Sequence, residues 1–284
     1  MKWEGHQESG NIEDRRGLNK KTVALGGGAA LIVLIIGTLL GVDPQRLNEL
    51  IGNRPLDPKD GNGAVAERPL TPQEERSRKF AATILRFTEE VWEEQFRRVD
   101  KRYQPPHMVL FSDRVQTGCG AAPSAVGPFY CPGDSTVYLD LAFFDQMEHQ
   151  LGAGGAFAQA FVIAHELGHH VQAITGTSGQ VQQLQARNPH AANKLSIMTE
   201  LQADCYAGTW AHSTYQRGLI GPEEIDQAIN AAGAIGDDNL QRAAVGRIDP
   251  AQWTHGSSAQ RQHWLTTGYD TGDTASCNTF ATAR

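Results

Sequence analysis

The chain has 284 residues, 40% hydrophobic and 20% charged, which supplies one sizeable core plus accessory segments and excludes a disordered chain. A formal net charge of -7, with no basic run longer than a pair, excludes a broad electrostatic nucleic-acid partner. The four cysteines allow two disulfides only in an oxidising compartment, so location bears on everything downstream.

Residues 1–21 end in the cluster Arg15, Arg16, Lys20 and Lys21, and residues 22–42 (TVALGGGAALIVLIIGTLLGV) carry no charge. At about 1.5 Å per residue that run covers a hydrocarbon core of roughly 30 Å, so one transmembrane helix is predicted over 22–42. It is too long for the apolar part of a cleaved signal peptide, and Val42-Asp43-Pro44 is a poor cleavage site. Basic residues precede the run and Asp43 follows it, which predicts residues 1–21 in the cytoplasm and the remainder outside. Gly37 and Gly41 form a small-xxx-small pair through which two such helices can approach, the expected contact of a homodimer.

Residues 43–70, rich in Pro, Gly and charge, read as a flexible linker. The globular domain, residues 71–284, opens on a capping box of Thr71 and Glu74 with Pro72 at the first helical position. Phe80, Ile84, Phe87, Val91 and Trp92 follow as an apolar stripe at helical spacing, and Pro105-Pro106 closes the region. After a Gly/Pro-punctuated stretch holding Cys119 and Cys131, residues 136–141 have the β-branched and aromatic content of a strand.

Phe157, Phe161, Ala164, Leu167 and Val171 give residues 156–173 a helical apolar face, and inside it stands His165-Glu166-Leu167-Gly168-His169. On a helix the two histidines lie about 40° apart around the axis and reach one ion, while Glu166 sits about 100° from His165. That keeps Glu166 off the ion and beside a water that zinc acidifies to a pKa of about 7, where the carboxylate can act as general base. His170 is rotated away and reads as a packing or hydrogen-bonding residue.

A catalytic zinc takes three protein ligands. A third histidine at the metzincin spacing is absent, since Gln172 and Thr175 occupy the required positions. Glu200 and Asp204 lie one helical turn apart in a second helix, and Ala203, Ala207 and Gly208 permit close packing against the first. One acid can ligate while the other bonds the outer nitrogen of His165. Spacing alone permits either order, and the longer reach of Glu200 favours it as the ligand. Glu223 and Glu224 follow Gly221-Pro222, where a helix start already accounts for acids. His190 and His212 have no partner at a useful spacing.

HELGHHVQ (165–172), ELQADCYAG (200–208), FYCPGDSTVYLDLAFF (129–144) and HGSSAQR (255–261) together resemble the family of bacterial neutral zinc metallopeptidases. The resemblance runs over nearly the whole chain. It implies a zincin-like metallopeptidase domain, α+β and mainly helical with a small sheet, behind one membrane anchor in the bacterial inner membrane. Its pattern supports His165, His169 and Glu200 as ligands of Zn2+, with Asp204 behind them.

By analogy with zincins, residues 136–141 are the candidate edge strand for an extended peptide substrate. His255 precedes Ser257 and Ser258, candidate N-caps of a helix, and so stands at a fixed entrance from which it can donate to an oxyanion. Four cysteines allow three pairings. Cys119 with Cys131 orders a short loop, leaving Cys205 with Cys277 to tie the metal-site helix to the carboxy-terminal tail.

The reading is a membrane-anchored zinc endopeptidase acting on peptides or proteins at the outer membrane face. The alternative is a tethered binding or regulatory module that holds zinc without hydrolysis. Glu166 favours the enzyme, because a purely structural site does not need it and closes all four positions with protein ligands.

Overall fold

The computed structural model describes residues 1–16 and 69–283. The expected transmembrane helix 22–42, the Gly37/Gly41 contact and residues 43–68 of the linker lie outside the described residues. Among the described residues, no helix is long and apolar enough to cross a membrane.

A short strand β1 (Ile12–Asp14) precedes helix α1 (Pro72–Arg97), which begins on the expected capping box: Thr71 Oγ1 accepts from the Glu74 amide and Glu74 reaches back to the Thr71 amide. Then come β2 (His107–Phe111), the hairpin β3 (Arg114–Thr117) and β4 (Gly120–Pro123), β5 (Phe129–Cys131) and β6 (Thr136–Asp140). Helices fill the rest: α2 (Ala142–Leu151), α3 (Ala156–Ile174), α4 (Thr177–Arg187), α5 (Ala192–Gln216), α6 (Pro222–Ala234), α7 (Asp237–Val245) and α8 (Ser258–Thr271). The architecture is α+β and mainly helical, as expected.

One sequence-based expectation is corrected by the sheet, whose order is β1-β2-β6-β5. Residues 136–141 do not form an edge: β6 lies between parallel β2 and antiparallel β5, and all five of its residues are buried. The edge is β5. The amino-terminal residues also join the sheet: β1 pairs in parallel with β2, with Ile12 opposite Met108 and Asp14 opposite Leu110.

The core lies between the sheet and the helices and is centred on Phe157, Phe161, Leu139, Leu85 and Trp210. Both expected disulfides are present, Cys119–Cys131 and Cys205–Cys277. Close helix contacts depend on small residues, but not all in the expected direction. Ala203 faces α3, whereas Gly208 faces α8, where a Cβ would stand 2.1 Å from the Leu265 carbonyl oxygen. Across the same seam a Cβ on Gly268 would stand 1.9 Å from the Cys205 carbonyl oxygen. Backbone cannot yield as a side-chain tip can, so Gly268→Ala is expected to destabilise the fold by about 3 kcal/mol, at the upper end of overpacking costs. A denaturant midpoint unchanged by Gly268→Ala would show that the two helices part without penalty.

Candidate metal centre

Helix α3 carries the motif. Its Gly168 lets α5 approach, since a Cβ there would meet the Ala203 Cα at 3.0 Å and its oxygen at 3.1 Å. This contact sets Glu200 against the two histidines. One donor atom from each of His165, His169 and Glu200 lies within 4.8 Å of the others, close enough to share one ion. Glu200 sits between them, with Oε2 3.2 Å from His165 Nε2 and Oε1 3.4 Å from His169 Nε2.

The outer nitrogens are both engaged, which turns Nε2 of each ring toward Glu200. His165 Nδ1 bonds Asp204 Oδ1 at 2.8 Å, and Asp204 is fully buried. His169 Nδ1 bonds Gln172 Oε1 at 2.9 Å, so His169 Nδ1 donates. The Gln172 amide in turn donates to the Thr199 carbonyl at 2.7 Å and to Gln202 Oε1 at 3.1 Å. Gln202 donates to the Cys277 carbonyl at 3.0 Å, so this chain of amides runs from a ligand to the buried Cys205–Cys277 bridge.

Asp204 is held in turn by Arg261 of α8, whose Nε and Nη2 donate to its two oxygens at 2.8 and 2.9 Å. Arg261 is 2% exposed, and this bidentate pairing neutralises a charge that could not otherwise be buried. Burial pushes the Asp204 carboxyl up, but Arg261 and His165 outweigh it and hold it below the ordinary carboxylate range. Burial likewise pulls His165 down, while Asp204 and Glu200 outweigh it and carry it up to about 10. Glu200 is pushed up by burial but held well below its usual value by the histidines.

This donor set fits zinc: two imidazoles with fixed tautomers and one ionised carboxylate, converging on one point. Asp204 meets the outer nitrogen of His165, and both of its oxygens accept from Arg261. Asp204→Asn keeps an acceptor for His165 but loses the charge, and is expected to weaken zinc affinity about 10- to 100-fold. An unchanged zinc dissociation constant would show that Asp204 does not orient its histidine.

Glu166 lies beside the donors, buried, and lines with His255 a cavity of about 470 Å³. Burial pushes the Glu166 carboxyl up, against the pull of His169 and His165. Phe129, Tyr130, Phe161, Val162 and Leu240 supply the apolar wall of this cavity. His255 is placed by Asp237, a fully buried residue that spacing did not reveal. Asp237 Oδ2 accepts from the backbone amides of Thr254, His255 and Gly256 at 2.7 to 2.9 Å. Its Oδ1 lies 3.4 Å from His255 Nδ1, which also bonds Thr254 Oγ1 at 2.9 Å. Burial lowers the His255 pKa, but Glu200 and Asp237 outweigh it, and the net direction is up. Ser257 is the N-cap of α8, whereas Ser258 bonds Asp238 through its amide and hydroxyl, both at 2.7 Å.

His170 bonds outside the donor cluster. Its Nε2 donates to the Gln104 carbonyl at 2.7 Å, so Nδ1 accepts from the Tyr130 hydroxyl at 3.1 Å. This pins edge strand β5 to the helix that carries His165 and His169. Tyr130, Gln172, Asp237 and Arg261 thus surround the donor cluster, and of these only Asp237 fell outside the motif blocks that carry the resemblance.

The family described as "Putative neutral zinc metallopeptidase" matches residues 1–280. The chain is 44% identical over 291 residues to the Escherichia coli K12 protein YpfJ, covering 99% of each chain. It is 41% identical over 256 residues to the Mycobacterium tuberculosis H37Rv protein Rv2575, covering 86% of this chain and 85% of the relative. No solved structure matches. On a match of this length, which includes every residue of the metal centre, the chain belongs to the neutral zinc metallopeptidase family.

Proposed function

We propose that this protein is a zinc endopeptidase with a zincin-like active site, in which His165, His169 and Glu200 hold the ion and Glu166 is the general base. The observation that carries the reading is the convergence of two imidazoles and a carboxylate, with the buried Glu166 outside that group, all lining one cavity of about 470 Å³. When bound, zinc supplies a Lewis acid and a water acidified to a pKa of about 7. Glu166, with a carboxyl raised by burial, is suited to take a proton and pass it to the departing amine. His255, held at Nδ1 by Thr254 and Asp237, keeps Nε2 for the oxyanion that develops on the scissile carbonyl.

Edge strand β5, held by the Tyr130–His170 bond, is the surface on which an extended peptide would pair. The two disulfides support an oxidising compartment for the domain. The test is digestion of a broad peptide library by the purified full chain, read by mass spectrometry. Internal cleavages that vanish with a zinc chelator and return with zinc are expected. A zinc-loaded chain that leaves the library intact would favour a zinc-holding regulatory module.

A further inference from the structure

The amino-terminal residues and the metallopeptidase domain form one folded body. Beyond the β1–β2 ladder, the Met108 amide donates to the Asn11 carbonyl at 2.8 Å and the Arg15 amide to the Leu110 carbonyl at 2.7 Å. Met108 and Leu110 are fully buried. Glu89 of α1, 2% exposed, accepts from Ser9 Oγ at 2.7 Å and from Asn11 Nδ2 at 2.8 Å. Withdrawing residues 1–16 would leave that buried carboxylate without both donors and open the edge of β2. Trp3 packs edge-on against Phe80 at 5.3 Å.

The chain also leaves and re-enters the domain at one corner. Arg16, 8% exposed, bonds Asp14 and donates through Nη2 to the Glu74 carbonyl at 2.9 Å, in the first turn of α1. The flanks of residues 17–68 are thus tied to each other. A chain whose two flanks belong to one body can cross a bilayer only an even number of times. Each crossing needs about 20 apolar residues. The uncharged run 22–42 supplies one such length, and residues 43–68 carry charges throughout.

We propose that residues 1–16 and 69–283 occupy the same compartment. The charge bias of Arg15 and Arg16 has another cause: they pair with Glu13 and Asp14.

The test uses the full chain in intact spheroplasts and an impermeant maleimide. One variant carries Gln7→Cys and another Gln183→Cys, both at exposed positions. Glu4→Cys and Leu184→Cys replace either variant that fails to accumulate, since these positions are exposed too. The expected result is that the two sites behave alike, both labelled before lysis or both only after it. Labelling of one site before lysis and of the other only after it would overturn the proposal. Hydrolysis is not read, so this outcome is independent of the peptidase assignment.

Discussion

Glu166→Gln is expected to keep its zinc and to lose about 10²- to 10⁴-fold in kcat/KM, the share that a positioned general base contributes. The substitution preserves shape and removes the only capacity a base needs. Glu166 lines the cleft beside the ligand cluster yet is absent from it, because one residue along a helix is a rotation of about 100°. Its buried position raises the carboxyl, and a raised pKa suits a group that takes and then returns a proton near neutrality. Zinc content at the parent's level together with parental rates would remove Glu166 from the chemistry. Loss of zinc would instead make it a ligand, against the geometry.

Alanine at His165, His169 or Glu200 is expected to strip zinc more completely than Asp204→Asn, which spares all three donors. Glu200→Gln and Asp204→Asn measured side by side give the clearest order. Glu200 faces both Nε2 atoms, whereas Asp204 is clasped by Arg261 and touches only the outer nitrogen of His165. Zinc affinity should therefore fall further at Glu200 than the 10- to 100-fold expected for an orienting residue such as Asp204. The fold should survive these losses, because the Cys205–Cys277 bridge and the α5–α8 seam fix the scaffold without the ion. A weaker effect at Glu200 than at Asp204 would reverse their roles.

The His165, His169 and Glu200 cluster was legible in the sequence because i, i+4 spacing on a helix is a local rule that the fold has little freedom to change. The same holds for the Thr71 capping box. What lay beyond reach were the pairings set by distant segments. Arg261 meets Asp204 from 57 positions away, and Asp237 organises the His255 turn from another helix. Strand β5 is three residues in a Gly/Pro-rich stretch, too short for a period, so the longer and more apolar β6 drew the role of edge. Strand β1, Ile-Glu-Asp, has no apolar alternation and becomes a strand only by lying on β2. Arg15 and Arg16 read as a topology signal because their partners Glu13 and Asp14 stand two positions earlier, where strand geometry brings each pair to one side.

Anomalous diffraction at the zinc edge from crystals of the full chain tests the central claim most directly. One peak is predicted, about 2.0 to 2.2 Å from His165 Nε2, His169 Nε2 and a Glu200 oxygen, with Asp204 and Glu166 outside bonding distance. A peak bonded to Asp204 or Glu166 in place of Glu200, or no peak in zinc-loaded protein, would contradict it.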